Sequence, residues 1–232
     1  MANHGWCQFP RLAAGLAAAG VSSFRFDHAM AIQSKSQRRD SFLMGNHDDE
    51  VADMVDAVVL VQEAMGRRVA CLLGHSKGGI NALLFAARHA DLGVPRVVSL
   101  AGRFRVREGV LRRFGDDIMA RLAAEGPLPR REAGGMEWTM TEADFRGRAD
   151  LDMEAAARAV PPTTRLLLLH GTADVTIPWE ESRECAALVA GAELALVDGA
   201  DHNFTRAAHA AEMVARVVEF VVRGEEAGGR EP

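Results

Sequence analysis

The sequence predicts an α/β fold, a mostly parallel sheet flanked by helices, and three observations carry that expectation. Short β-rich segments alternate with longer helical ones along most of the 232 residues, the rhythm of strands joined by helical crossovers. The apolar run Arg165-Leu166-Leu167-Leu168-Leu169-His170 is the strongest strand signal. A serine also stands between glycines where one apolar run stops and the next begins, in Leu72-Leu73-Gly74-His75-Ser76-Lys77-Gly78-Gly79-Ile80.

Taken in order, Leu12 to Ala19, with Pro10 at its start, reads as an amphipathic helix rather than a signal peptide. Val21 to Phe26 reads as a strand. Asp48 to Met65 reads as a helix, because Val51, Met54, Val55, Val58, Val61 and Met65 recur at helical spacing. Gly66 ends it. A strand over 69–73, a helix from Gly78, and strands over 96–100, 165–170 and 193–197 follow. Helices over 180–189 and 205–222 complete the domain, which is expected to span 1–224. Between 103 and 160 the strand rhythm stops. That stretch reads as an inserted helical cap broken at Gly126-Pro127-Leu128-Pro129. Its arginines (Arg105, Arg107, Arg112, Arg113, Arg121) are nearly balanced by Glu108, Asp116, Asp117, Glu125 and Glu132, so they read as a solvated face. The polar tail 225–232 reads as frayed.

Composition narrows the function classes. A hydrophobic fraction of 48% and a charged fraction of 25% are those of a soluble globular protein. With a net charge of -5 and no long basic run, a nucleic-acid partner has no support. Three cysteines without a CxxC pattern favour a reducing, cytoplasmic setting. No apolar run reaches the ~18 residues of a membrane span. Neither HExxH, GxGxxG nor GxxxxGK[ST] occurs, so no metal and no cofactor is expected.

Gly74-His75-Ser76-Lys77-Gly78 fits G-x-S-x-G. A strand bending sharply into a helix lifts the serine oxygen above the sheet, and the flanking glycines are expected because a Cβ at either would clash. The N–H of Lys77 and the positive end of the helix dipole then face the same space. A serine needs a base, and the base an orienting acid. His170-Gly171-Thr172-Ala173-Asp174 follows the strongest strand, and Gly199-Ala200-Asp201-His202 follows the last one. Asp174 and His202 therefore reach the carboxyl edge of the sheet, where Ser76 stands. Asp201 is a second candidate for the acid, ranked lower because its side chain reaches the neighbouring His202 ring awkwardly. Each residue also has a plain structural reading, Asp174 as a turn or cap and His202 as a loop residue.

These motifs resemble the α/β-hydrolase superfamily over nearly the whole chain. The likeness is to small esterases and acyl hydrolases of the serine-aminopeptidase-like and cinnamoyl-esterase-like branch. It rests on His4-Gly5, Phe24-Arg25-Phe26-Asp27, Gly74 to Gly79, His170 to Asp174 with Pro178, and Gly199 to His202. The resemblance implies Ser76 as nucleophile, His202 as base, Asp174 as acid, and backbone oxyanion donors at Trp6 and Lys77. It implies cleavage of a small-molecule carboxylic ester or related acyl compound. A peptidase or thioesterase with the same residues is the alternative, and a non-catalytic binding protein on the same scaffold the alternative of another class. The sequence departs from the family after Asp27, where His28 to Ser36 lacks glycine, and after His4-Gly5, where the loop is short. The family also has two or three strands before its His-Gly pair. Here only Met1, Ala2 and Asn3 precede it, so those strands are expected to be missing and Val21 to Phe26 to be poorly anchored.

Overall fold

The computed structural model describes residues 8–28, 45–131 and 137–223. The expectations for His4, Gly5 and Trp6, for most of the His28 to Ser36 loop and for the tail 225–232 lie outside these residues.

Among the described residues, four parallel strands form the sheet: β1 (Leu72–His75), β2 (Arg96–Leu100), and, after the insertion described below, Arg165–Gly171 and Glu193–Val197. They lie side by side in chain order, with Leu72 opposite Val97, Val97 opposite Leu166 and Leu167 opposite Glu193. Because successive side chains alternate across a strand, Val97, Leu166 and Leu168 enter one core, while Val98, Leu100, Leu167 and Leu169 enter the other.

The second face is covered by α1 (Phe9–Ala18) and the C-terminal helix Ala207–Val222. Pro10 sits in the first turn of α1, where its missing N–H costs nothing. A Cβ at Gly15 would run into Val214, so glycine lets these two helices approach closely. The first face is covered by α2 (His47–Val59) and α3 (Lys77–Arg88), together with the insertion. The expected helix to Met65 stops being regular at Val59 and continues as a π-turn over Leu60–Ala64, before Gly66 takes a positive φ of 62°.

The insertion carries α4 (Val106–Phe114), α5 (Ile118–Glu125), β3 (Leu128–Arg131), β4 (Glu137–Met140), α6 (Glu142–Ala149) and α7 (Met153–Ala159), followed by β5 (Arg165–Gly171), α8 (Glu180–Leu188), β6 (Glu193–Val197) and α9 (Ala207–Val222). The expected helical break is in fact an antiparallel pair, β3 with β4. Its signal was the alternation in Glu137-Trp138-Thr139-Met140, where Trp138 and Met140 turn inward. Pro129 is tolerated there because the pair has open edges. Val110, Ile118, Met140 and Phe145 belong to the same buried cluster as Leu84 and Leu168, so the insertion packs directly onto the body.

The expected strand Val21–Phe26 is corrected: among the described residues it joins no sheet. Strand-forming residues hold that geometry only when a neighbouring edge supplies ladder hydrogen bonds, and β1 pairs only with β2 there. Val21 instead donates to the carbonyl of Leu16, and Phe24 is left 48% exposed.

Candidate active site

Ser76 joins β1 to α3 with φ 55° and ψ -114°, a region that non-glycine residues rarely enter. Its N–H donates to the carbonyl of Leu100, and its own carbonyl accepts from Gly79 and Ile80. A Cβ at Gly74 would press against the carbonyl of Gly78, and one at Gly79 against Ser99 and Gly102. The expected steric role of Gly78 is corrected, since a Cβ there would meet no atom outside its own helix. The tight crossing is between the Gly74 side of the turn and the Gly78 carbonyl, and Gly79 faces the β2 end.

The structure brings three distant side chains into one line. His202 Nδ1–H donates to Asp174 Oδ2 at 2.7 Å, and Ser76 Oγ–H donates to His202 Nε2 at 3.0 Å. The directions follow from the acceptor-only carboxylate, which fixes the proton on Nδ1 and leaves Nε2 to accept. Asp174 Oδ1 accepts from the N–H groups of Thr176 at 2.8 Å and Ile177 at 2.9 Å, and Oδ2 accepts also from His170 Nε2–H at 3.0 Å. Burial pushes this carboxyl up, but the bonds from His170, His202 and Ile177 outweigh burial and hold it well below the usual carboxylate range. Asp201 is turned away. It accepts from the N–H groups of Asn203 and Thr205 and from the Thr205 hydroxyl, closing its own turn.

Two histidines that sequence reasoning did not place in this role support the line. His170 Nδ1 accepts from Ser182 Oγ at 2.7 Å, which directs its Nε2–H at Asp174 and the Ile177 carbonyl. His75 donates Nε2–H to the carbonyl of His202 at 2.8 Å, and the two rings stand 4.9 Å apart. Gln8 adds bonds to the carbonyls of Asn203 and Phe204. The loop carrying His202 is therefore held from three sides. Only the place of His75 and His170 at the ends of apolar strand runs hinted at this.

Lys77, the first residue of α3, has a backbone N–H without an intrahelical acceptor, as helix geometry requires. Its side chain turns away into the α2 end, with Nζ 2.6 Å from Asn46 Oδ1 and 2.8 Å from Glu50 Oε1. Asn81 Nδ2 donates to Glu50 Oε2 at 2.6 Å and accepts from His47 Nδ1 through Oδ1 at 2.6 Å. Burial opposes the Glu50 charge, but Lys77 together with His28 and His47 outweighs burial and holds the carboxyl below its usual value. This buried pair anchors the residue next to Ser76. Cys71 and Cys185 are inert packing thiols, pushed up to about 12 mainly by burial. Among the described residues no group of three or more His, Cys, Asp or Glu side chains is arranged to hold a metal ion. Among them, too, no helix is long and apolar enough to cross a membrane.

Two buried histidines set an acid limit on stability. Burial, with the neighbouring charge of His202, lowers His75 to about 4. Burial, with Lys77 and Arg148, lowers His47 to about 3. Both stay neutral in the fold while an unfolded chain would take up their protons near pH 6.5. Below that pH the unfolded state binds more protons, so stability falls as pH drops from about 6.5 toward 4, on the order of 3 kcal/mol from His75 alone. Urea unfolding at pH 7.5 and 5.0 checks this: a lower midpoint at pH 5.0 is expected, and equal midpoints contradict it.

The comparisons with known proteins agree with this architecture. No curated protein matches the chain. Est1E from Butyrivibrio proteoclasticus, solved with ferulic acid bound, superposes with a TM-score of 0.76 at 17% identity, covering 95% of this chain and 84% of that one. A putative hydrolase from Agrobacterium vitis S4 gives 0.70 at 20% identity, covering 95% and 84%. A monoacylglycerol lipase from Paleococcus ferrophilus gives 0.68 at 19%, covering 93% and 88%. Likeness at such identity speaks for the fold. The sequence profile of the α/β hydrolase fold matches residues 2–123, from before α1 into α5 and across the Ser76 turn, and the chain therefore belongs to the α/β hydrolase fold family.

Proposed function

We propose that the chain is a serine hydrolase that cleaves a carboxylic ester or related acyl compound through an acyl-enzyme on Ser76. The observation that carries this reading is the unbroken hydrogen-bonded line from Ser76 through His202 to Asp174. It starts at a serine held in a strained conformation at the N-terminus of α3. Ser76 Oγ attacks the carbonyl carbon while His202 Nε2 takes its proton. Asp174 stabilises the resulting imidazolium. The N–H of Lys77 donates to the developing oxyanion, and the positive end of α3 adds to it. The alkoxide leaves with the proton from His202. Water then gives a proton to the same nitrogen, attacks the acyl carbon, and frees the acid as Ser76 recovers its proton. The second oxyanion donor expected at Trp6 belongs to the same proposal.

A fluorophosphonate probe tests it. Its phosphorus forms a bond to an activated serine oxygen and loses fluoride, so the whole chain should be labelled at Ser76 and the Ser76→Ala chain should not. An unlabelled wild-type chain would favour a binding protein on this scaffold instead.

A further inference from the structure

Most arginines of the insertion are spent on exposed pairs, as the balanced charge predicts. Arg105 meets Glu108 and Glu184, Arg107 meets Asp150, and Arg121 meets Glu125. Such pairs contribute little and serve a solvated face. Arg148 on α6 differs. It is half-buried, and among the described residues its side chain makes no hydrogen bond and no ion pair.

The position of Arg148 follows from its neighbours. The backbone of Gly45 lies against Asp144 and Gly147 so closely that neither glycine could carry a Cβ without displacing the other segment. The next residue after Gly45 is Asn46, which holds the Lys77 ammonium beside Ser76. The N-terminal end of α2 thus touches both α6 and the side chain of the residue after Ser76, and Arg148 follows Gly147 directly. Its charge is felt at Lys77 and His47 on that side. On the other side it is near Arg103 and Arg113. Arg103 donates to the carbonyl of Thr176 at 2.7 Å, two residues from Asp174, and to Glu181 at 3.1 Å. Arg148 is therefore within electrostatic reach both of the residue that follows the nucleophile and of the arginine beside the acid.

Three carboxylates of this region are committed to other partners. Glu50 is taken by Lys77 and Asn81, and Glu181 by Arg103 and the N–H groups of Phe104 and Arg105. Asp174 is taken by His170 and His202. Burial, with Arg103 and Arg113 adding, lowers the Arg148 guanidinium to about 10. A desolvated cation without a partner is costly, and a bound anion removes that cost. The guanidinium fork matches the two oxygens of a carboxylate.

Resting on the hydrolase reading, we propose that the substrate is a carboxylate-bearing ester, a half-ester of a dicarboxylic acid, and that Arg148 binds its free carboxylate while the ester carbonyl lies at Ser76. Arg148 is a specificity-determining residue, with Arg103 and Arg113 adding positive potential.

The test compares mono(para-nitrophenyl) glutarate with para-nitrophenyl valerate, which differ by a carboxylate in place of a terminal methyl. The full chain should prefer the glutarate in kcat/KM. Arg148→Met should lower the glutarate-to-valerate ratio about 10- to 100-fold, the worth of a charged hydrogen bond, chiefly through KM. Arg148→Lys should recover part of it. An unmoved ratio overturns the proposal. Calorimetric titration of the Ser76→Ala chain with monoethyl glutarate and ethyl valerate needs no turnover and no Arg148 variant. Tighter binding of the half-ester supports the site, and equal binding overturns it. If wild type hydrolyses neither ester yet the half-ester binds preferentially, the hydrolase reading fails and the anion site stands. If it hydrolyses both without preference, the anion site alone fails.

Discussion

Ser76→Ala and His202→Ala should each lower the turnover of an activated ester by about 10⁴- to 10⁶-fold, with the double variant hardly worse than either. The reason is that the two side chains act as one unit. Without His202 Nε2, 3.0 Å from Ser76 Oγ, the hydroxyl keeps its proton and stays a weak nucleophile. Without the hydroxyl, the base has nothing to activate but water. What remains in every variant is the backbone around Lys77, which no side-chain change removes. Steady-state kcat for the two single variants and the double variant settles the matter. Losses that multiply would show two independent contributions and sink the relay.

Asp174→Asn should lower kcat by about 10⁴-fold, whereas Asp201→Asn should leave it within a few-fold. Asp174 accepts four hydrogen bonds, two from rings and two from backbone N–H groups. An amide has one oxygen to offer, and its NH₂ would face donors. If that NH₂ points at His202, the ring shifts its proton to Nε2 and can no longer accept from Ser76. The lost depression of the Asp174 carboxyl adds a stability cost, so folding is checked alongside by circular dichroism. Asp201 spends both oxygens on its own turn, so its amide should cost local order and little rate. A collapse in Asp201→Asn with a mild Asp174→Asn would reverse the two roles.

The sequence was most legible where structure is local. The apolar runs over 96–100 and 165–170 became strands at nearly those residues, because a strand buried on both faces advertises itself without reference to its partners. The helices were legible from spacing. Where a partner decides, the reading failed. Val21 to Phe26 has the composition of a strand but joins no sheet among the described residues. Glu137–Met140 alternates correctly but needed Leu128–Arg131 opposite it to be a strand.

The same division runs through the candidate site. Sequence alone determined that Ser76, Asp174 and His202 arrive at one edge of a parallel sheet, because each follows a strand and parallel strands all end on the same side. It determined, too, that the serine sits at a sharp strand-to-helix turn, because glycines flank it; that Gly74 rather than Gly78 makes the room, against the Gly78 carbonyl, came from the structure. Only the tertiary structure decided that Asp174 rather than Asp201 meets His202, that His75 and His170 hold the line from behind, and that Lys77 is tied to Glu50. It alone separated Arg148 from the paired arginines around it. Strand ends are set by short-range pattern, whereas hydrogen bonds between side chains far apart in sequence depend on tenths of an ångström of packing that no local window contains.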